Sequence, residues 1–343
     1  MQQQVQPQQD KLLQEGKLRT VVWQNGKIDT ERPPEKLQEV LQDPHALIWL
    51  DILGDCGPQE ALLRNVFALA PITIQAMREK HERAKFIEQD NYYYLVVHGM
   101  SFDTQTNEAD MPKLDIIFGK NYIITAHTAS LPWLDSLVEE AKEKSAVEHL
   151  MSRSIAFLLY SLLDALVDSY FPVLDDIDDI IDELEDVTVN STSNDVQVRI
   201  FRIKRSLAQM RRVISPQVEV ANALVSRASK SIPPKIAPYF AELHDHLIRA
   251  FEVLDSYRDL MSGMLDVYLT TVSNRLNVVM KQLTIIATVF LPITFITGVF
   301  GQNFGHLPQV EHDSGGYFFW IVLAFMGLIT VLQIWFFKKR GWL

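Results

Sequence analysis

Residues 283–301 read LTIIATVFLPITFITGVFG, and residues 317–337 read YFFWIVLAFMGLITVLQIWFF. These two stretches decide the architecture. Neither carries a charged side chain, over 19 and 21 residues respectively. A helix rises about 1.5 Å per residue and the bilayer's hydrocarbon core is about 30 Å thick, so each is long enough to cross it. A buried helix of a soluble protein rarely stays uncharged this long twice in succession. We therefore expect transmembrane helices at 283–303 and 317–337.

The flanks orient them. Residues 304–316 form a short polar loop without Lys or Arg, whereas Lys281 precedes the first span and Lys338, Lys339 and Arg340 open the basic tail 338–343. Cytoplasmic segments carry the excess of Lys and Arg, so both termini are expected in the cytoplasm and the loop outside. Tyr317, Phe318, Phe319, Trp320, Trp335 and Trp342 stand where an interfacial aromatic belt would lie.

Before the spans the chain reads as an ordinary charged protein, and the mean hydropathy of +0.02 hides this asymmetry. The 343 residues carry 32 Lys and Arg against 43 Asp and Glu, a net charge of −11. That balance argues against nucleic acid as a partner, since phosphate neutralisation needs clustered cations. It suits either solubility or the attraction of cations. The single cysteine, Cys56, permits no intrachain disulfide and no multi-cysteine zinc site. Residues 1–17 look like a disordered Gln-rich tail, and they lack the basic start and apolar core of a signal peptide.

Residues 18–146 predict a cytoplasmic α/β domain. Strand-like runs lie at 20–23, 46–52, 92–98, 114–118 and 122–126, with helical stretches at 58–68 and 71–78 between them. Asn25-Gly26 and Gly119-Lys120-Asn121 mark turns. No phosphate loop, nucleophile elbow or zinc-protease signature occurs, so no enzyme is expected.

Residues 147–282 predict long helices, one pattern over 147–187, another over 198–226, and a third from Pro238 to Pro292 that leads into the first span. A helix of that length must pack along others, which suggests an oligomer around an axis. Residues 164–186 hold ten carboxylates around an apolar stripe of Leu174, Ile177, Ile181 and Leu184. The acidic faces suit a solvated surface or one that concentrates cations. His244 and His246 are two apart, point to different faces, and read as surface residues.

Within the first span, Asn277, Met280, Thr284, Ala287, Leu291, Thr294 and Gly298 alternate spacings of three and four and share one uncharged face. Such a face could line a narrow conduit or pack against another helix.

Residues 272–304, VSNRLNVVMKQLTIIATVFLPITFITGVFGQNF, and the ending FFKKRGWL resemble the CorA family of divalent-cation channels and transporters. So do WLDILG at 49–54, LLDALVDSYFPVLDDIDD at 162–179 and LDSYRDLMSGMLDVYLTTVSN at 254–274. The resemblance covers most of the chain. It implies a funnel-shaped homopentamer in the inner (plasma) membrane that carries divalent cations through a pore lined by the first span, with no cofactor. The family's Gly-Met-Asn tripeptide corresponds to Gly301-Gln302-Asn303, with glutamine replacing methionine, and implies an asparagine ring at the outer mouth. Mg²⁺ gives up its waters reluctantly. Amide oxygens can accept hydrogen bonds from those waters and still let the ion leave.

The resemblance also assigns Asp266 to the cytoplasmic pore entrance and Glu242 to a regulatory metal site. Its acidic partners in the N-terminal domain fall at Gln75 and Ala76, which offer no carboxylate, so that site is expected to be absent or altered. The zinc-associated ZntB branch shares the architecture. His306, Glu311, His312 and Asp313 in the outer loop are groups that Zn²⁺ could visit. A non-conducting membrane-anchored sensor on the same scaffold is the further alternative.

Overall fold

The computed structural model describes residues 17–142, 154–190, 193–227, 232–301 and 316–342. They divide into two compact units, Met1–Leu265 and Asp266–Leu343.

The first unit begins with β1 (Lys17–Gln24) and β2 (Lys27–Asp29), then α1 (Leu37–Leu41), β3 (Leu47–Leu53), α2 (Glu60–Asn65) and α3 (Pro71–Arg78). There follow β4 (Lys85–Glu88), β5 (Tyr93–His98), β6 (Ser101–Asp103), β7 (Glu108–Asp110), β8 (Lys113–Phe118), β9 (Tyr122–His127) and α4 (Pro132–Glu140). Seven strands form one sheet in the order β2-β1-β3-β9-β8-β5-β4, while β6 and β7 make a separate hairpin. Only β3 and β9 run parallel among the paired strands described.

The expected turns explain two connections. Asn25 and Gly26 take φ of 54° and 73°, the geometry that a two-residue hairpin between right-twisted strands demands. Gly119 lies so close to the Tyr122 ring that an added Cβ would fall 2.3 Å from it.

Alternation along the strands sends side chains to two covered faces. Ile48, Leu50, Ile52, Tyr94, Val96 and Ile124 meet Leu37, Val40, Leu63, Ile74 and Met77 of α1–α3 in one core. The opposite face meets the helices that follow: α5 (Ile155–Asp168) contacts β9, and α7 (Asn194–Arg227) contacts β4, β5 and β7. The unit is thus three layers, helices on both faces of a mixed sheet.

The single helical pattern expected over 147–187 is two helices, α5 and α6 (Tyr170–Asn190). Residues 147–153 lie outside those described. Pro172 is tolerated only in the first turn of a helix, so the chain restarts just before it. Tyr170 then locks the join. Its hydroxyl donates to the His98 carbonyl at 2.6 Å and lies 3.1 Å from Gln217 Oε1, which accepts the His98 amide at 3.0 Å. The apolar stripe of α6 is buried as its spacing predicts, with Leu174, Ile177, Ile181 and Leu184 at 2% exposure or less.

The helix α8 runs unbroken over Ala237–Phe300, and α9 over Tyr317–Lys339. The early turns of α8 bury Leu243, Leu247, Ala250 and Leu254 in the first unit. By length and composition three helical stretches among the described residues could span a membrane, Ile155–Thr188, Ala237–Phe300 and Phe319–Lys339. Their cover within the chain separates them. Half of the most apolar window of Ile155–Thr188 is buried, with Leu158, Leu159 and Leu162 fully enclosed, so it is a core segment. None of the corresponding window in the other two is buried. Bare apolar surface on that scale needs lipid or further subunits.

Candidate ion-conduction site

In the second unit α9 packs along one side of α8. Ile285 is buried there, Lys281 Nζ donates to the Gly341 carbonyl at 3.2 Å, and Gln333 Nε2 donates to the Thr288 carbonyl at 3.1 Å. The last contact has a covalent cause. Pro292 lies inside α8 and has no N–H, so the Thr288 carbonyl four residues earlier loses its helical donor. In a membrane every backbone polar group needs an internal partner, and Gln333 supplies it.

Asn277, Met280, Thr284, Ala287, Leu291, Thr294 and Gly298 are all exposed. At 100° per residue they centre on a face about a quarter-turn from the Ile285–Thr288 side, with Asn277 and Thr284 at its edge. Thr284 and Thr294 donate their hydroxyl hydrogens to the Met280 and Phe290 carbonyls at 2.8 and 2.9 Å. Their oxygens therefore turn only lone pairs outward, as suits a cation or its waters. Gly298 has nothing within 4 Å of an added Cβ, so the space in front of it is open within the chain. Asp266 is exposed and stands eleven residues, about three turns, before Asn277, on the same face.

Gly301 closes the helix. Its amide donates to the Thr297 carbonyl at 2.8 Å, and an added Cβ would lie 3.0 Å from that same oxygen. Gln302 and Asn303, together with His306, Glu311, His312 and Asp313, lie outside the described residues.

In the first unit Gln75 is exposed and Ala76 half-buried on α3, and neither offers a carboxylate. Glu242 is exposed on α8 and raises the Asp164 carboxyl electrostatically. Asp164 belongs to a group the sequence did not reveal: Asp164 and Asp168 on α5 and His246 on α8 offer ligand atoms within 4.8 Å of one another. Burial, then the neighbouring Asp168, pushes Asp164 above the ordinary carboxylate range, against the Tyr160 hydroxyl and His246. His246 is consequently no plain surface residue. It is half-buried, its Nδ1 is closed to solvent with no hydrogen-bond partner among the described residues, and its ring meets Phe171 edge-on at 6.3 Å. Two helices far apart in sequence meet here, which no motif could signal. His244 faces elsewhere, toward Asp245.

The WLDILG stretch builds a different constellation. Asp51 lies on the helix-covered face of β3, 2.6 Å from Arg19 Nη2 and 3.4 Å from His127 Nε2, and accepts the Thr125 hydroxyl at 2.5 Å. Trp49 Nε1 donates to that hydroxyl at 3.1 Å, and Arg19 reaches Asp135 at 2.6 Å. Burial pushes Asp51 up, but His127, Arg19 and Thr125 outweigh it and hold the carboxyl below its ordinary range. These groups pair with one another inside the sheet, although Arg19 Nη2 and His127 Nε2 meet Asp51 as ion pairs without a hydrogen bond, so the stretch is a structural network.

Residues 44–339 match the family model described as CorA-like Mg2+ transporter protein. The cobalt/magnesium transport protein CorA of Thermotoga maritima is 35% identical over 304 residues, covering 88% of this chain and 85% of the relative. The zinc transport protein ZntB of Vibrio parahaemolyticus is 26% identical over 272 residues, covering 78% of this chain and 81% of the relative. Among solved structures, the CorA magnesium transporter of Methanocaldococcus jannaschii superposes with a TM-score of 0.78 at 21% identity, over 95% of this chain and 98% of that one.

Proposed function

This chain belongs to the CorA family of divalent-metal-cation transporters, and from that premise we propose that five copies conduct partly hydrated divalent cations along the Asn277–Gly298 face of α8. The observation that carries the reading is that face itself. It is uncharged, exposed in the single chain, bears outward hydroxyl lone pairs and, except at its Thr284 edge, is turned away from the side that α9 covers. Five such faces around an axis would line a passage in which no fixed charge traps a divalent ion. Asp266, on the same face, would form a carboxylate ring at the cytoplasmic entrance. Gly301, Gln302 and Asn303 would form the outer filter, its amides accepting hydrogen bonds from the waters that Mg²⁺ keeps. The basic end of α9 supports cytoplasmic termini in the plasma membrane. The role is transport, not catalysis.

The ion preference we infer is Mg²⁺ or Co²⁺, in keeping with the higher identity to the cobalt/magnesium relative. Zn²⁺ is the second reading, because the Asp164–Asp168–His246 group adds an imidazole to its carboxylates. Regulation departs from the family pattern. Glu242 finds no acidic partner at Gln75 or Ala76, and the carboxylates it approaches are on α5.

Flux of Mg²⁺, Co²⁺, Ni²⁺ and Zn²⁺ into proteoliposomes tests the proposal. Wild type should conduct at least one of them, and Asn303→Ala should lose most of that flux. Millimolar Mg²⁺ on the cytoplasmic side should leave the wild-type flux largely unchanged. A folded oligomer that conducts none of the four would favour the sensor reading. Strong inhibition by cytoplasmic Mg²⁺ would reinstate the family's regulatory site.

A further inference from the structure

Each membrane helix carries a cation one turn beyond a stripe of uncharged groups. On α8 the spacing of Lys281, Thr284 and Thr288 sets the three on one face. On α9 Ile329, Gln333, Phe336 and Arg340 share a face in the same way. The contacts of Lys281 with Gly341 and of Thr288 with Gln333 make the two helices antiparallel, so both cations come to the same end.

Between these stripes the second unit holds a groove of ≈ 510 Å³. Thr284 and Thr288 form one wall and Ile329, Leu332 and Phe336 the other, while Trp342, stacked on Phe337 at 5.8 Å, stands at its mouth. The polar groups of the lining have spent their donors. Both threonine hydroxyls donate to carbonyls of α8, at 2.8 and 2.7 Å, and Gln333 Nε2 donates to Thr288. What the groove offers an occupant is therefore apolar contact. From Phe337 to Ile329 it runs for about 12 Å, most of one leaflet of a hydrocarbon core about 30 Å thick.

The cations at the mouth lack an anion. Lys281 Nζ reaches the carbonyl of Gly341, the residue next to Arg340, and the Arg340 guanidinium lies 5.6 Å over the Phe336 ring. Neither takes part in an ion pair among the described residues. Asp266 is the one carboxylate among the described residues of this unit, and it stands about 22 Å back along α8. Cations by themselves would mark no ligand here, since the cytoplasmic ends of spans are ordinarily basic. Joined to an apolar groove of leaflet depth, they match one kind of molecule, a negative headgroup on an acyl chain. We propose that this groove binds one anionic phospholipid per chain, with an acyl chain along Leu332 and Phe336 and the phosphate between Lys281 and Arg340. The inference rests on the two helices crossing a bilayer and not on the conduction pathway, so its failure would leave the transport reading standing.

Native mass spectrometry on the detergent-solubilised full chain tests it. The probes are phosphatidylglycerol and phosphatidylcholine with the same acyl chains, and glycerol phosphate, which has no chain. One phosphatidylglycerol per chain should bind, at least tenfold more tightly than phosphatidylcholine, and glycerol phosphate should not bind. Lys281→Gln and Arg340→Gln should each weaken phosphatidylglycerol at least fivefold and leave phosphatidylcholine unchanged. Leu332→Trp, which fills the groove, should weaken both lipids. Arg340 is exposed, so its variant decides the matter even if Leu332→Trp does not fold. The proposal is overturned if the two lipids bind equally, if glycerol phosphate binds as tightly as phosphatidylglycerol, or if both charge variants keep wild-type affinity. A Leu332→Trp chain that changes its oligomeric state while holding phosphatidylglycerol as before would assign the groove to a second copy, and equally overturn it.

Discussion

Asp51 shows how a family-like motif can be structural. The residues of WLDILG that resemble the family are legible in the sequence, but their role is not, because Arg19, Thr125 and His127 come from other strands. The ionic geometry makes a testable statement about pH. His127 Nδ1 is 2.6 Å from the Ala129 carbonyl and Nε2 faces Asp51, so both ring nitrogens face acceptors. Burial disfavours the imidazolium, but Asp51 and that carbonyl outweigh it and raise the group above its ordinary value. The stabilisation is therefore complete below the unfolded imidazole pKa of about 6.5 and is lost as pH rises through the higher folded value. Asp51, held low, contributes above its unfolded pKa of about 3.9 and fails as pH falls below it. The melting temperature of the first unit should fall as pH rises from neutrality, and His127→Gln should flatten that limb. Parallel wild-type and variant curves between pH 6 and 9 would contradict this. Asp51→Asn removes the anion from Arg19 and His127, and breaking a buried pair costs about 3–5 kcal/mol.

Among the elements, β1, β3, β5, β8 and β9 are legible because each holds an apolar run long enough to show. The elements β2, β4, β6 and β7 are three or four residues each, KID, KFIE, SFD and EAD, too short and polar for any period to emerge. The spans are legible from composition alone, and the shared face of α8 from spacing. What spacing did not give is the seam between them. Gln333 reads as one amide in an apolar helix, and only the packed pair shows that it answers Pro292. Interhelical hydrogen bonds in membranes are worth about 0.6 kcal/mol on average and up to about 1.7. Gln333→Leu should cost an amount in that range in detergent unfolding. The loss should shrink in a Pro292→Ala background, where residue 292 regains its own N–H. An additive double-mutant cycle would mean the two do not communicate. The α8 face has its own test. Cys56 is buried and is the single native thiol, so background labelling is low. In the assembled oligomer, Thr294→Cys should react with a small water-soluble thiol reagent faster than Val289→Cys, which lies on the opposite side of the helix, and equal rates would remove the face from the pathway.

For the whole molecule, the acidic balance, the lone cysteine and the two apolar C-terminal stretches placed the chain in a membrane class before any motif was read. The family resemblance then placed it among divalent-cation transporters, in agreement with the family model and the relatives. The three-layer first unit follows from strand alternation and helix periodicity. The meeting of Asp164 and Asp168 with His246, and the groove that ends at Lys281 and Arg340, do not, because each joins residues distant in sequence. These are long-range contacts that local pattern carries no trace of.

The unbroken helix Ala237–Phe300 also acts as an angular ruler, since every residue from Asp266 to Gly298 owes its bearing to the number of residues before it. One alanine inserted between Thr271 and Asn277 would advance all later positions by about 100°, and would carry Thr284, Thr294 and Gly298 off the proposed conducting face. Seven inserted residues would restore the bearing to within about 20° while lengthening the rod by about 10 Å. Flux should vanish with the single insertion and return with seven, so the count of residues, as much as their kind, is what the proposed pore depends on.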